Sequence, residues 1–311
     1  MDEPFIGSEA LAARRLTRHQ LRSNFVAIHK DIYFPAGAKQ TAVVRAKAAW
    51  LRSQRRGVLG GFSAAALHGS RFVDDLVPAT IIGRGKPTSG VLVWEQALEP
   101  DEMCHVGELR LTTPARTAAD LARRFPTDIA VAAIDDLARA TGLTAADMQR
   151  AVARHPGQRG VQRARTALRL VDSKAQSPRE TWLRLLIIRA GFPAPQSQYR
   201  ICDEYGQLIG IADFAWEDVQ IAVEYEGAHH MEREAVRKDI GRIEAMAERN
   251  WLVVRVTSRD PAYVVVRRLA HARACRGVVD AGVDVQLDMP AWRVGWRAGI
   301  DPGPRLGMRS A

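Results

Sequence analysis

Two alternating stretches, Leu208 to Trp216 and Val219 to Glu226, constrain this chain more than any other feature. Period-two patterning of that length predicts paired β-strands. Glu217 and Asp218 are the expected turn, and a two-residue loop sets Asp213 opposite Ala222. One face then carries Phe214, Trp216, Ile221, Val223 and Tyr225, a core composition. The other carries Asp213, Glu224 and Glu226 among Ile211, Ala215 and Ala222. Glu224 falls diagonally from Asp213, about 7–8 Å away at Cα. Like charges this close raise one another's pKa. A divalent cation would relieve the repulsion, and Mg2+ is satisfied by one or two carboxylates, waters and phosphate oxygens. Such an ion polarises a scissile phosphate and activates a water. For any one of these carboxylates alone, a hydrated polar face is the alternative.

The flanking segments have equally definite patterns. Ser177-Pro178-Arg179-Glu180 opens a helix with serine as cap, proline at the first helical position and Glu180 third. Trp182, Leu183, Leu185, Leu186 and Ile187 form its buried face, and Gly191 and Pro193 stop it. A strand follows around Gln198 to Cys202, then a turn at Asp203 to Gln207. Trp251 to Thr257 is an apolar run broken by Arg255, expected of a strand covered on both faces. Asp260 to Cys275 is a final helix. With a helix before Trp251, the order is αβββαβ.

That order, with Glu180 on the helix and Asp213 and Glu224 on the strands, resembles the core of PD-(D/E)XK nucleases. More closely, Val223-Glu224-Tyr225-Glu226-Gly227-Ala228-His229-His230, then Lys238-Asp239-Ile240-Gly241-Arg242, then Asn250-Trp251-Leu252-Val253-Val254-Arg255-Val256-Thr257 is similar to an uncharacterised actinobacterial family related to very-short-patch-repair (Vsr-type) endonucleases. The resemblance covers roughly 100 residues. It implies that Asp213 and Glu224 ligate Mg2+ or Mn2+ and that His230 is a general acid/base or positions water, with neighbouring His229 as the alternative. It matches Glu180 to the fold's helix glutamate, though the capping position explains that residue equally well. Asp239 and Arg242, at i and i+3, either form a supporting ion pair, or Arg242 reaches phosphate, or the two are an ordinary surface pair. Glu226 stands where the nuclease motif usually has lysine, and the related family most often aspartate. An active enzyme and a degenerate DNA-binding relic are both compatible with that departure.

Upstream, Ser8 to Ala12 and Thr17 to Leu21 read as short helices, the second opened by a Thr17/Gln20 capping box. Val26-Ala27-Ile28 and Ile32-Tyr33-Phe34 read as a hairpin ended by Pro35. Residues 1–45 thereby resemble the winged helix-turn-helix of AbiEi-type antitoxins. This implies that Arg18, His19 and Arg22 face the DNA major groove; solvated arginines on a small helical cap are the alternative. Residues 46–174 are expected to form an α+β middle region. Arg116, where a strand enters a helix, either meets a phosphate or belongs to ordinary capping. Residues 150–174 carry a basic stripe including Arg159 and Arg163, either a solvated helix face or a phosphate contact. Residues 175–276 are the nuclease-like domain, and 277–311 an aperiodic, partly disordered tail.

The composition, 47% hydrophobic and 26% charged over 311 residues, excludes a mostly disordered or fibrous chain. No run approaches the ~18 apolar residues of a membrane span. Met1-Asp2-Glu3-Pro4 lacks a signal-peptide pattern. Three scattered cysteines, Cys104, Cys202 and Cys275, give neither a disulfide framework nor a zinc pair. A mixed α/β protein of the cytoplasm is expected. Its net charge of +10 suits a polyanion such as DNA. Three functions follow: a DNA-binding Mg2+-dependent endonuclease, a non-catalytic antitoxin-type regulator with a cognate toxin or homodimeric partner, and a protein-interaction module on a degenerate nuclease scaffold.

Overall fold

A computed structural model of the chain describes residues 2–226, 233–287 and 289, the side chains of 233–240 excepted. The fold is mixed α/β. Among the described residues, no helix is long and apolar enough to cross a membrane. The described residues cluster into two compact units, one up to residue 173 and one from residue 174 to 289.

The first unit opens with β1 (Phe5–Ile6), α1 (Gly7–Ala12), α2 (Arg18–Asn24), β2 (Phe25–His29) and β3 (Ile32–Pro35). The strands form a sheet in the order β1-β3-β2. Thr17 caps α2 in both directions: its Oγ1 accepts from the Gln20 N–H at 3.2 Å, and its N–H donates to Gln20 Oε1 at 2.9 Å. Leu21 alone on α2 is buried. Next come α3 (Ala42–Arg52), β4 (Val58–Leu59), α4 (Gly61–Leu67), β5 (Ala79–Ile82), β6 (Val91–Trp94), β7 (Met103–Val106), β8 (Leu109–Thr112), α5 (Pro114–Arg124), α6 (Thr127–Thr141), α7 (Ala145–Ala153) and α8 (Val161–Arg169). Five strands make a mixed sheet, β6-β5-β4-β8-β7. Helix α3 packs against β1–β3, so the boundary expected near residue 45 falls inside one unit.

Arg116 is not presented to an external phosphate. Thr113 caps α5, and the Arg116 side chain turns inward, 1% exposed. Its guanidinium binds Glu102 and reaches Asp120 at 3.0 Å. Arg123 holds the other Asp120 oxygen at 2.5 Å. A buried charge persists only when paired and hydrogen-bonded, and this cluster meets that condition from within the unit.

The second unit is built from α9 (Pro178–Arg189), β9 (Gln196–Cys202), β10 (Leu208–Trp216), β11 (Ile221–Glu226), α10 (Arg233–Glu248), β12 (Leu252–Thr257) and α11 (Ala262–Cys275). The sheet order is β12-β11-β10-β9, with only β11 and β12 parallel. Phe214, Trp216, Ile221, Val223, Val254 and Val256 pack on Trp182, Leu183, Leu186 and Ile187 of α9 and Val265, Val266 and Leu269 of α11. On the other face Ala212, Ala215 and Ala222 cluster with Met246 of α10 and with Trp251. The acidic face is thus covered by a helix.

The hairpin register differs from the expected one. Ala215 pairs with Ala222 and Phe214 with Val223, because the strands are joined by four residues, Glu217 to Gln220, rather than two. A slip of one residue would exchange the faces. This slip of two keeps Ala215 and Ala222 on one face and moves Glu224 level with Asp213, but Gly210 and Ala212 turn to that face too, so the expected alternation of β10 breaks at Asp213. The tail also departs from expectation up to residue 289. Val283, Leu287 and buried Met289 join the core, and the Asp284 N–H donates to the Ala190 carbonyl at 2.9 Å.

Helix α10 comes close to the sheet because Gly210 has no side chain. A Cβ there would lie 2.6 Å from Met246 Cε and 2.9 Å from Arg242 Cδ. Gly210→Val should lower unfolding free energy by about 1–3 kcal/mol, the usual range for overpacking. A denaturant midpoint unchanged from wild type would contradict this contact.

Candidate active site

The site begins at the N-terminus of α9. Ser177 Oγ accepts from the Glu180 N–H at 3.2 Å and donates to Glu180 Oε1 at 2.9 Å. Glu180 Oε2 accepts from the Gln176 N–H at 2.8 Å and from Gln198 Nε2 at 3.1 Å. Glu180 therefore serves the helix cap and also reaches the sheet, since Gln198 lies on β9. The same Gln198 amide donates to Asp213 Oδ1 at 3.3 Å. Asp213 Oδ2 accepts from the Tyr225 N–H at 2.7 Å.

Both carboxylates are thus solvated by neutral N–H and O–H groups. Burial pushes the Asp213 carboxyl up to about 6, and the charge of Glu180 adds to the rise. The Tyr225 N–H, Gln198 and the positive charge of Arg242 pull it partly back. Gln198 holds its bridging position with φ +52, in the left-handed region that non-glycine residues rarely occupy. It sits between the pairs Tyr199–Ala212 and Ser197–Phe214, across from Asp213. Nothing in the sequence singles out Gln198, because its role comes from that backbone angle.

Glu224 is 7% exposed and bound through both oxygens by Arg242 of α10, with Nη2 to Oε2 at 2.9 Å and Nη1 on Oε1. A pairing of Arg242 with Glu224 was not among its expected roles. Glu226 pairs with Arg255 of the adjacent strand. Arg179 donates to Tyr225 Oη at 2.7 Å and lies over its ring at 5.8 Å, a pair the sequence did not suggest. His229 and His230 lie outside the described residues, as does the side chain of Asp239.

Among the described residues, no group of three or more His, Cys, Asp or Glu side chains is placed to hold a metal. Two carboxylates suffice for Mg2+, which keeps several waters. Asp213 and Glu180 offer such a pair: both oxygen-rich, repelling one another, and bonded only to neutral donors. The donor set fits a hard cation at Asp213. Both oxygens of Glu224 are taken up by Arg242.

In the first unit, Arg18, His19 and Arg22 are exposed on α2. The basic stripe spans two helices, α7 and α8. Arg150 pairs with Asp147, and Arg154 with Asp101 at 2.6 Å. Arg159 and Arg163 are exposed, Arg163 bonding weakly to the Phe125 carbonyl at 3.4 Å.

Two Mycobacterium tuberculosis proteins, the uncharacterised proteins Rv2248 (strain H37Rv) and MT2308 (strain CDC 1551), are each 30% identical to the chain over 222 residues. The match takes in 69% of this chain and 80% of each relative. The chain belongs to the Rv2248 family. No protein-family model and no solved structure matches it. The chemistry of this member of the Rv2248 family therefore has to be argued from its own site.

Asp213 gives that site a pH signature. Folded, it keeps its proton up to about pH 6; its ordinary value is 3.8. Between those values the folded state binds the extra proton, so stability falls as pH rises through the window. At neutral pH the ionised carboxylate costs up to about 3 kcal/mol, at ~1.4 per pKa unit. With EDTA present, Asp213→Asn should be more stable than wild type by about 1–3 kcal/mol at pH 7.5, the gain vanishing near pH 4. Denaturant unfolding at both pH values measures it; an equal effect at both would refute the assignment.

Proposed function

We propose that the protein is a DNA-binding, Mg2+-dependent endonuclease of the Vsr-like PD-(D/E)XK type, acting in the cytoplasm. The observation that carries this reading is the Glu180–Gln198–Asp213 cluster, set in an αβββαβ order with Glu224 level with Asp213. A buried carboxyl raised to about 6 beside a second carboxylate is what a cation site has before the cation arrives.

Asp213 and Glu180 hold the ion in this reading, with Glu224 as the third acid. When bound, Mg2+ polarises the phosphodiester and activates a water for attack. Gln198 keeps the two acids apart and oriented. His230, with His229 and Glu226, manages the protons. Arg18, His19 and Arg22, with Arg159 and Arg163, hold the duplex through its phosphates, in keeping with the net charge of +10. The AbiEi-like resemblance of residues 1–45 belongs to the same reading, as a DNA-docking element.

One observation favours a second reading. The bidentate Arg242–Glu224 pair already neutralises one acid of the set, as a non-catalytic regulator of antitoxin type would keep it. In that case DNA, with a cognate toxin or a second copy of the chain, is the partner and no bond is cut.

Incubation of supercoiled and mismatched DNA with Mg2+ or Mn2+ separates the two. The nuclease reading expects cleavage by wild type, slowed on the order of 100-fold or more in Asp213→Asn and Glu224→Gln. Equal cleavage by all three, or none by any, rejects it. DNA affinity should fall with salt, and the slope of log K against log salt should shrink by about 1 for each arginine lost among Arg18, Arg22, Arg159 and Arg163.

A further inference from the structure

Two ion pairs built on a sealed acid differ in one respect. In the Arg116–Glu102 pair both side chains are sealed, at 2% and 4% exposure. In the Arg242–Glu224 pair the acid is sealed at 9%, but the arginine is 29% exposed. Glu224 is fixed on β11 between two neighbouring strands. Arg242 reaches it along a methylene arm laid over Gly210, where a Cβ would come within 3.0 Å of its Cγ. The arm needs no backbone movement to withdraw its head toward water. Its guanidinium takes both Glu224 oxygens, the atoms a cation would use. Two cationic species cannot both own one carboxylate at full strength, so they compete.

We propose that Arg242 is an exchangeable internal counter-ion, which holds Glu224 in the metal-free protein and yields that carboxylate when a divalent cation binds at Asp213. This rests on the nuclease reading above. It makes Arg242 a positioning residue that sets the metal concentration at which the site assembles.

The test uses the full chain and Mn2+ alone, with binding read by electron paramagnetic resonance or calorimetry in the absence of DNA. Arg242→Gln removes the competing charge and should bind Mn2+ at least ten-fold more tightly than wild type. Arg242→Lys keeps the charge but not the two-point grip of the guanidinium fork, so its Mn2+ affinity should fall between those of wild type and Arg242→Gln. Equal or weaker binding by Arg242→Gln overturns the counter-ion role while leaving the metal site standing. Mn2+ binding by none of the proteins removes the metal site itself, and the proposal with it. Should Arg242→Gln fail to fold, wild type suffices: the Arg242 Nε–Hε resonance should move to the position of a free guanidinium as Mg2+ saturates the site. A resonance unmoved at calorimetric saturation contradicts the exchange.

Discussion

Asp213 carries a charge that its surroundings resist. Burial strips its water, Glu180 repels it, and the groups that answer it are a backbone N–H, one amide and the nearby charge of Arg242. The rest of the second unit can be understood as the frame that keeps the acid there. Helices α9 and α11 fill one face of the sheet with large apolar side chains, which fixes strands β10 and β11. The alanines on the other face and Gly210 admit α10, which brings Arg242 down to Glu224. A capped helix N-terminus delivers Glu180 to the same place.

The contrast with the first unit sharpens the functional reading. There, Glu102 and Asp120 are each held by arginines, and His155 adds a contact to Glu102 at 2.6 Å. Every acid has a cationic answer within the cluster, and breaking such a pair is costly because it strands a buried charge. Among the described residues, the hydrogen bonds to Asp213 and Glu180 come from neutral donors. Balance marks the first cluster as structural. The proposed cation would answer the imbalance of the second.

Much of this was legible in the sequence. Alternation located β10 to the residue and the Ser177-Pro178 start located α9. The hairpin loop was misjudged because Val219 and Gln220 read as strand, and the strict period of two fails at Asp213, where Ala212 and Ala215 on either side share one face. Strands β1, β4 and β7 escaped notice: two are two residues long, and the third, Met103–Val106, has no alternation. Arg116 read equally well as a phosphate contact, since its partners Glu102 and Asp120 come together only in the tertiary fold. Gln198 had no signal at all, and the Arg242–Glu224 pair spans 18 residues that no local rule connects.

The central claim is that a divalent cation belongs at Asp213 and Glu180. Crystals grown with Mn2+ and measured at the manganese edge test it directly. The account predicts an anomalous peak about 2.1–2.2 Å from an Asp213 carboxylate oxygen, six-coordinate and completed largely by water. Full Mn2+ occupancy elsewhere with no peak at Asp213, and Glu224 still clasped by Arg242, would contradict it.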